Sequence, residues 1–372
     1  MLFRAFGWSI GITILGLIAG FVYGGPSALA IVAILIVLEV SLSFDNAVVN
    51  ATVLERMSPF WQKIFLTIGI AIAVFGMRLV FPLVIVSVTA QLNPIEAIQL
   101  AMEKGDPTVP GTYGYLIHDA HPAIAAFGGM FLFMLFLDFI FEHREITWLS
   151  WIERPLGRIG KLDRLAIIVS LTLLCITAFT FAPEGKTSTV MLSGVLGLIT
   201  YAVVNGLGEL FNIDDTVGDD GAVEGKDGKS GAGAVTLAVG KAGFFLFVYL
   251  EVLDASFSFD GVVGAFAITS DPIIIAIGLG VGTMFIRSVT VYLVHKGALK
   301  DYAYLEHGAM WAVGALAVLM LLTIKFEVSE VIIGLVGVTL IVAAFLTSVV
   351  RNRRDGGDDA DLAEQPDEAI AK

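Results

Sequence analysis

Carboxylates recur inside the apolar stretches of this chain, and they recur in a pattern. The segment Leu38-Glu39-Val40-Ser41-Leu42-Ser43-Phe44-Asp45-Asn46-Ala47-Val48-Val49 is matched without a gap by Leu253-Asp254-Ala255-Ser256-Phe257-Ser258-Phe259-Asp260-Gly261-Val262-Val263-Gly264. Each copy lies in an apolar run long enough to cross a bilayer. An acid at the centre of such a helix costs about 2.5–3.5 kcal/mol on insertion scales, so its presence there points to function.

On a regular helix Glu39, Ser43, Asn46 and Asn50 share one face, and Glu251, Asp254 and Ser258 form the matching stripe in the second copy. Asp45 stands roughly 120° away from Glu39 and pairs instead with Ser41, as Asp260 does with Ser256. Carboxylate, hydroxyl and amide oxygens are hard donors that suit Mg2+, Ca2+ or Mn2+. A local break at Ser43–Asp45 or Ser258–Gly261 would let the acids converge and would add backbone carbonyls. Gly261 makes the second break easier.

Glu39, Asp45, Asp254 and Asp260 cannot all be charged together in a membrane interior without a counter-ion. Either a divalent cation neutralises them or protons do. Alternation between the two states is what a proton-coupled cation exchanger requires, because metal and proton compete for the same oxygens. The alternative is that the acids only make interhelical hydrogen bonds.

The elements that must position these residues follow from composition. The chain is 57% hydrophobic and only 15% charged, with a mean hydropathy of +0.87. Such a composition excludes a soluble globular domain and defines a polytopic membrane protein. One cysteine, Cys175, excludes an intrachain disulfide and a cysteine-based zinc cluster. The net charge of −13 is concentrated in two solvated pieces, and nothing suggests nucleic-acid binding.

Ten spans are expected: Leu2–Tyr23, Ala28–Leu54, Ile64–Gln91, Pro122–Phe141, Leu165–Phe181, Val190–Phe211, Val235–Thr269, Pro272–Val294, Gly308–Ile324 and Val328–Val350. The first is read as a retained helix and not a signal peptide, because more membrane segment follows at once. Arg144, Arg154, Arg158, Lys161 and Arg164 place their loop in the cytoplasm, with both termini on the same side of a plasma membrane. Trp148 and Trp151 suggest that part of this loop lies at the headgroups.

This all-α bundle divides into a first membrane half (1–211), an acidic Gly-rich cytoplasmic connector (212–234), a second half (235–350) and a disordered acidic tail (351–372). Five spans per half make the second copy run opposite to the first, the inverted-repeat plan of many secondary transporters. Each half also carries an arginine one span after its acidic helix, Arg78 and Arg287, expected to form structural or gating ion pairs with the acids. Asp138 is a further pathway candidate, and Asn205 and Glu209 are possible exit groups. His118-Asp119-Ala120-His121 has ligand chemistry but reads as a loop ahead of a helix that starts at Pro122. No His-Glu-x-x-His is present, so an intramembrane metalloprotease is disfavoured and no enzymatic activity is expected.

The run Glu39…Ser43-Phe44-Asp45-Asn46-Ala47 and its partner Asp254…Ser258-Phe259-Asp260-Gly261 resemble the signature of the TerC family, tellurium-resistance-associated integral membrane proteins similar in architecture to lysine exporters. The resemblance spans roughly Ala28 to Val350 and departs at Gly261, where an asparagine would be expected. It implies a divalent-cation exporter, for Mn2+ before other ions, with Glu39, Asp45, Asn46, Asp254 and Asp260 as metal ligands. Ser43, Glu251, Ser258, Arg78, Arg287 and Asp138 would serve the pathway or its gating. The expected partners are the lipid bilayer, the divalent cation and protons; a homo-oligomer is compatible. No cofactor is expected, since the cation is the substrate. The second reading that the resemblance brings is a non-transporting membrane component of a metal or tellurite stress-response complex.

Overall fold

The computed structural model describes residues 2–103, 105–106, 108–160, 162, 164–214, 238–269, 271–296 and 302–363. Most of the acidic connector and the end of the tail lie outside them. The described residues are helical throughout, with no strand beyond one isolated bridge between Met57 and Ala238. The order is α1 (Leu2–Leu42), α2 (Phe44–Leu54), α3 (Pro59–Ile64), π-helical stretches Phe65–Gly69 and Ile72–Val80, α4 (Phe81–Thr89), α5 (Pro94–Met102), α6 (Tyr113–Phe141) and α7 (Ser150–Ile159). There follow α8 (Leu165–Thr180), α9 (Thr187–Asp214), α10 (Gly240–Ile268), α11 (Pro272–Lys296), α12 (Leu305–Thr323) and α13 (Glu330–Ala363).

Seven stretches among the described residues are long and apolar enough to cross a membrane: Phe6–Leu42, Pro59–Val84, Tyr113–Phe141, Thr187–Gly206, Pro272–Val294, Leu305–Thr323 and Ile332–Arg353. The expected ten is therefore met only in part. The 16 residues of α8 are short for a crossing, and α10, which carries Glu251, Asp254 and Asp260, is not among the seven.

The first of the seven folds back on itself. Gly24 (φ −143°, ψ 22°) and Gly25 (φ 70°, ψ −158°) leave helical geometry, and Pro26 restarts the helix. A β-carbon on Gly20 would stand 2.9 Å from Val32 Cγ2, although residues 12 apart on one straight helix are about 18 Å apart. The two arms are thus an antiparallel hairpin packed through Gly20 and Gly24. Both arms lie on α11. The first arm runs against it, with Phe6 beside Phe285 and Tyr292 (ring centroids 5.6 and 5.8 Å) and Tyr23 Oη 3.4 Å from Asp271 Oδ1 at its start. The second runs with it, as Leu35 meets Gly278 and Glu39 meets Gly282.

The rod from Pro59 to Thr89 is parallel to α10. Trp61 packs on Phe244 (5.9 Å), Phe65 on Phe247 (6.5 Å), and Gly69 on Glu251. Elsewhere α6 runs antiparallel to α12, with Gly128 against Met320, Phe136 against Gly314 and Phe139 against His307. These helices and α9 hold the largest apolar core. The sequence placed the start of the fourth span at Pro122, but the helix begins at Tyr113, capped by Thr112, and Pro122 lies inside it. The final helix continues to Ala363, so the described beginning of the stretch read as tail is helical.

Candidate functional site

The two acidic stripes meet. Asn46 Nδ2 on α2 donates to Asp254 Oδ1 on α10 at 2.6 Å. A β-carbon on Gly261 would sit 3.0 Å from Glu39 Oε2. Residue numbers fall on one helix as they rise on the other, so the motif copies cross antiparallel. Glu39 and Asp254 occupy equivalent places in the pattern; so do Gly261 and Asn46. Each acid therefore faces the partner copy's residue seven positions after its own acid.

The stripes are buried as the spacing predicts: Glu39 is 1% exposed, Ser43 4%, Asn46 and Asn50 2%, Glu251 7%, Asp254 4% and Ser258 3%. Glu39 is firmly held. It forms an ion pair with Arg78, and Ser43 Oγ donates to its Oε1 at 2.9 Å. Thr283 Oγ1 is 3.2 Å from that oxygen and 2.8 Å from Leu279 O, so its single proton is shared between them. Arg78 Nη1 in turn donates to Ala73 O at 2.6 Å, within the second π-helical stretch. π-helical turns are rare and concentrate at functional sites. Here the first stretch ends on Gly69, which abuts Glu251, and the second contains Arg78, which holds Glu39.

The second arginine behaves differently. Arg287 feels the charges of Asp254 and Glu251, but its guanidinium lies over the Phe65 ring, 3.6 Å from Cζ to the centroid. None of its three guanidinium nitrogens donates a hydrogen bond. Correspondingly, both Glu251 oxygens, Asp254 Oδ2, Ser258 Oγ and Asn50 Oδ1 have no hydrogen-bond partner among the described residues. A β-carbon at position 69 would lie 2.5 Å from Glu251 Oε1 and 3.0 Å from Arg287 Nη2, so a side chain there would displace both groups.

Some expectations need correction or fall outside the described structure. At Ser43 (φ −102°, ψ 13°) the helix kinks without unwinding: Ser43 N still bonds Glu39 O (2.9 Å) and Ala47 N bonds Ser43 O (3.2 Å). These two carbonyls keep their helical hydrogen bonds and are not freed by an unwound turn. The second copy has no break at all, because α10 is continuous through Ser258–Gly261. The side chains of Asp45, Asp260 and Glu209 lie outside the described residues. Among those described, no three of His, Cys, Asp and Glu gather closely enough to hold a metal by themselves. Ser41 and Ser256 bond the backbone of their own helices, Val37 O at 2.8 Å and Val252 O at 3.0 Å.

Asp138 accepts a 2.8 Å hydrogen bond from Tyr201 of α9. His118 and His121 stack at 6.3 Å on the first turns of α6, not in a loop, and Asp119 between them is ion-paired with Lys186. Thr283 and Phe65 were missed by sequence reasoning. Thr283 had a signal, since it lies one turn before Arg287 on the same face; Phe65 had none in so apolar a span.

A helical membrane protein with a charged cluster locked between antiparallel motif helices is thus the class that fold and site define. The chain belongs to the family described as "Protein of unknown function (DUF475)", whose model matches residues 44–355. No curated protein and no solved structure matches. This family is distinct from TerC, and no TerC match accompanies it, so the resemblance is overturned. The resemblance rested on two short acid-serine-aspartate runs, a pattern that any membrane helix presenting hard oxygen donors can carry. Manganese and tellurium resistance lose their support with it.

Proposed function

We propose that the chain is a secondary transporter of a hard divalent cation, coupled to protons, with its two membrane halves related by inverted topology and both termini in the cytoplasm of a plasma-membrane protein. One observation carries this reading: the buried cluster holds more negative than positive charge. Glu39, Glu251 and Asp254 face two arginines, Arg78 and Arg287, and the same helices contribute Asp45 and Asp260. In a low-dielectric interior the excess must be balanced by protons or by a cation. Exchange of one for the other is transport when the two faces are reached alternately. The oxygen-only donors favour Mg2+, Ca2+ or Mn2+ over softer metals. The antiparallel crossing of the motif copies supports the inverted plan.

Proteoliposomes with a pH gradient, assayed for Mn2+, Mg2+, Ca2+ and Zn2+ flux, test it. Flux of a hard cation driven by an opposing proton gradient, and lost in Asp254→Asn, is expected. Absence of flux for every ion would refute the reading.

A further inference from the structure

Glu251 stands outside the duplicated pattern. In the gapless superposition it falls opposite Ile36, so the first copy has no equivalent carboxylate. The extra acid changes what the second arginine can do. In the first copy one carboxylate, Glu39, takes one guanidinium, Arg78, and the pair is closed by Ser43. In the second copy two carboxylates share the field of Arg287, which rests on Phe65 and bonds neither.

The unbonded oxygens line the facing sides of α10 and α2. Glu251 and Asp254 fall at i and i+3 of α10, within reach of one another, whereas Ser258 lies about 10.5 Å along the axis from Glu251 and outside its reach. Because Asn46 is bonded to Asp254 and the helices are antiparallel, Asn50, one turn further along α2, is level with the turn of α10 that bears Glu251. Every one of these side chains is more than nine-tenths buried. Leaving a buried acceptor unmade costs about 1–3 kcal/mol, more for a charged one, so the four such atoms on Glu251, Asp254 and Asn50 favour a bound partner. Two carboxylates and an amide oxygen are a hard cation's donors.

Resting on the transport reading above, we infer that the cation is bound on the second-copy side, by Glu251, Asp254 and Asn50, and that Arg287 is the resident counter-charge that competes with it. Phe65 is the perch of that counter-charge: the ring face holds the guanidinium beside the acids without a hydrogen bond to them. Glu39 and Arg78 then form the fixed half of the cluster. The two halves look alike in sequence but do different work.

Mn2+ binding to the full chain in lipid nanodiscs tests this, read by loss of the electron-spin-resonance signal of free Mn2+, with thermal unfolding of each variant as the fold control. Glu251→Gln is expected to raise Kd about tenfold or more and Asn50→Ala severalfold, whereas Arg287→Gln lowers Kd because the competitor is gone. Phe65→Leu, which frees Arg287 to fall onto the acids, raises it. If Glu251→Gln does not fold, Glu251→Asp replaces it and is expected to weaken binding by at least about threefold. Wild-type binding with unchanged Kd in the Glu251 and Arg287 variants would overturn this inference and leave the transport reading standing. A wild-type chain that neither binds nor moves any divalent cation would overturn both.

Discussion

Asn46 donates a 2.6 Å hydrogen bond to Asp254, and in doing so one copy of the acidic motif supplies the donor for the other copy's acid. The reciprocal place is taken by Gly261, which lets Glu39 lie against α10 and turn to Arg78 instead. The pattern is duplicated, but its chemistry is divided between an amide and a guanidinium. Asn46→Asp would set two carboxylates in the place of one donor and one acceptor, and both cannot be ionised at that distance. Flux at neutral pH is expected to fall at least about tenfold with the fold retained, and to recover in part as the medium is acidified and one of the pair is protonated. Proteoliposome flux between pH 5 and pH 8 reads this; a variant with wild-type flux at neutral pH would contradict it.

Close helix approach, not conformational freedom, fixes Gly282. A β-carbon there would lie 2.6 Å from both Cβ and Cγ of Glu39 and 3.2 Å from Ile36 O. Glu39 Cβ and the Ile36 carbonyl move only with the backbone, so a rotamer change at Glu39 cannot relieve the clash. Gly282→Ala is expected to destabilise by about 1–3 kcal/mol and to weaken the hold on Glu39. Gly11→Ala, with nothing within 4 Å of the new carbon, is the control and should match or exceed wild type in thermal unfolding.

Much of this site could be read from the sequence, for identifiable reasons. Charged and hydroxylic residues stand out against an apolar background, so the stripes Glu39-Ser43-Asn46-Asn50 and Glu251-Asp254-Ser258 were legible, as was the ion pairing of Arg78. The break placed between Tyr23 and Ala28 coincides with the hairpin turn at Gly24 and Gly25. The π-helical stretches were not legible, because a span apolar all round offers no contrast by which a change of period could show. Pro122 misled for a related reason: polar residues from Thr112 to His121 resemble a loop, yet they cover the exposed end of a helix packed on α12. The family could not be decided from two short runs at all.

The proposed topology makes opposite predictions for the two ends of the bundle. Trp151, 77% exposed on α7, belongs with the basic cytoplasmic loop. Val109, ahead of α6, and Phe326, after α12, belong outside. With Cys175 replaced by serine, single cysteines at 109 and 326 should react with an impermeant maleimide in intact cells, and one at 151 only in inside-out vesicles. Labelling of 109 and 326 from opposite faces would break the inverted arrangement, since the positions flank equivalent spans of the two halves.

Glu153 fastens the basic loop to the bundle. Its carboxylate accepts from the backbone of Trp148 (3.0 Å) and Leu149 (3.1 Å) and from Trp311 Nε1 (2.9 Å). His307 Nδ1 lies 3.0 Å from Oε2, poorly aligned for a hydrogen bond but close enough for a charge contact. Burial alone would push the acid up. The contacts with His307 and Trp311 and the backbone donors outweigh it, and hold the pKa at about 2 against an ordinary 4.5. Since the folded value lies below the unfolded one, this stabilisation is complete above about pH 4.5 and disappears as pH falls toward 2; its size is about 2–3 kcal/mol. Wild-type thermal stability should therefore decline between pH 5 and pH 3. Glu153→Gln should be less stable at neutral pH but decline less steeply across that window, and Trp311→Phe, in which the folded pKa rises toward the unfolded one, should start its decline at the same pH as wild type but lose less and level off at a higher pH. Parallel acid profiles for wild type and Glu153→Gln would show that Glu153 does not carry the acid sensitivity.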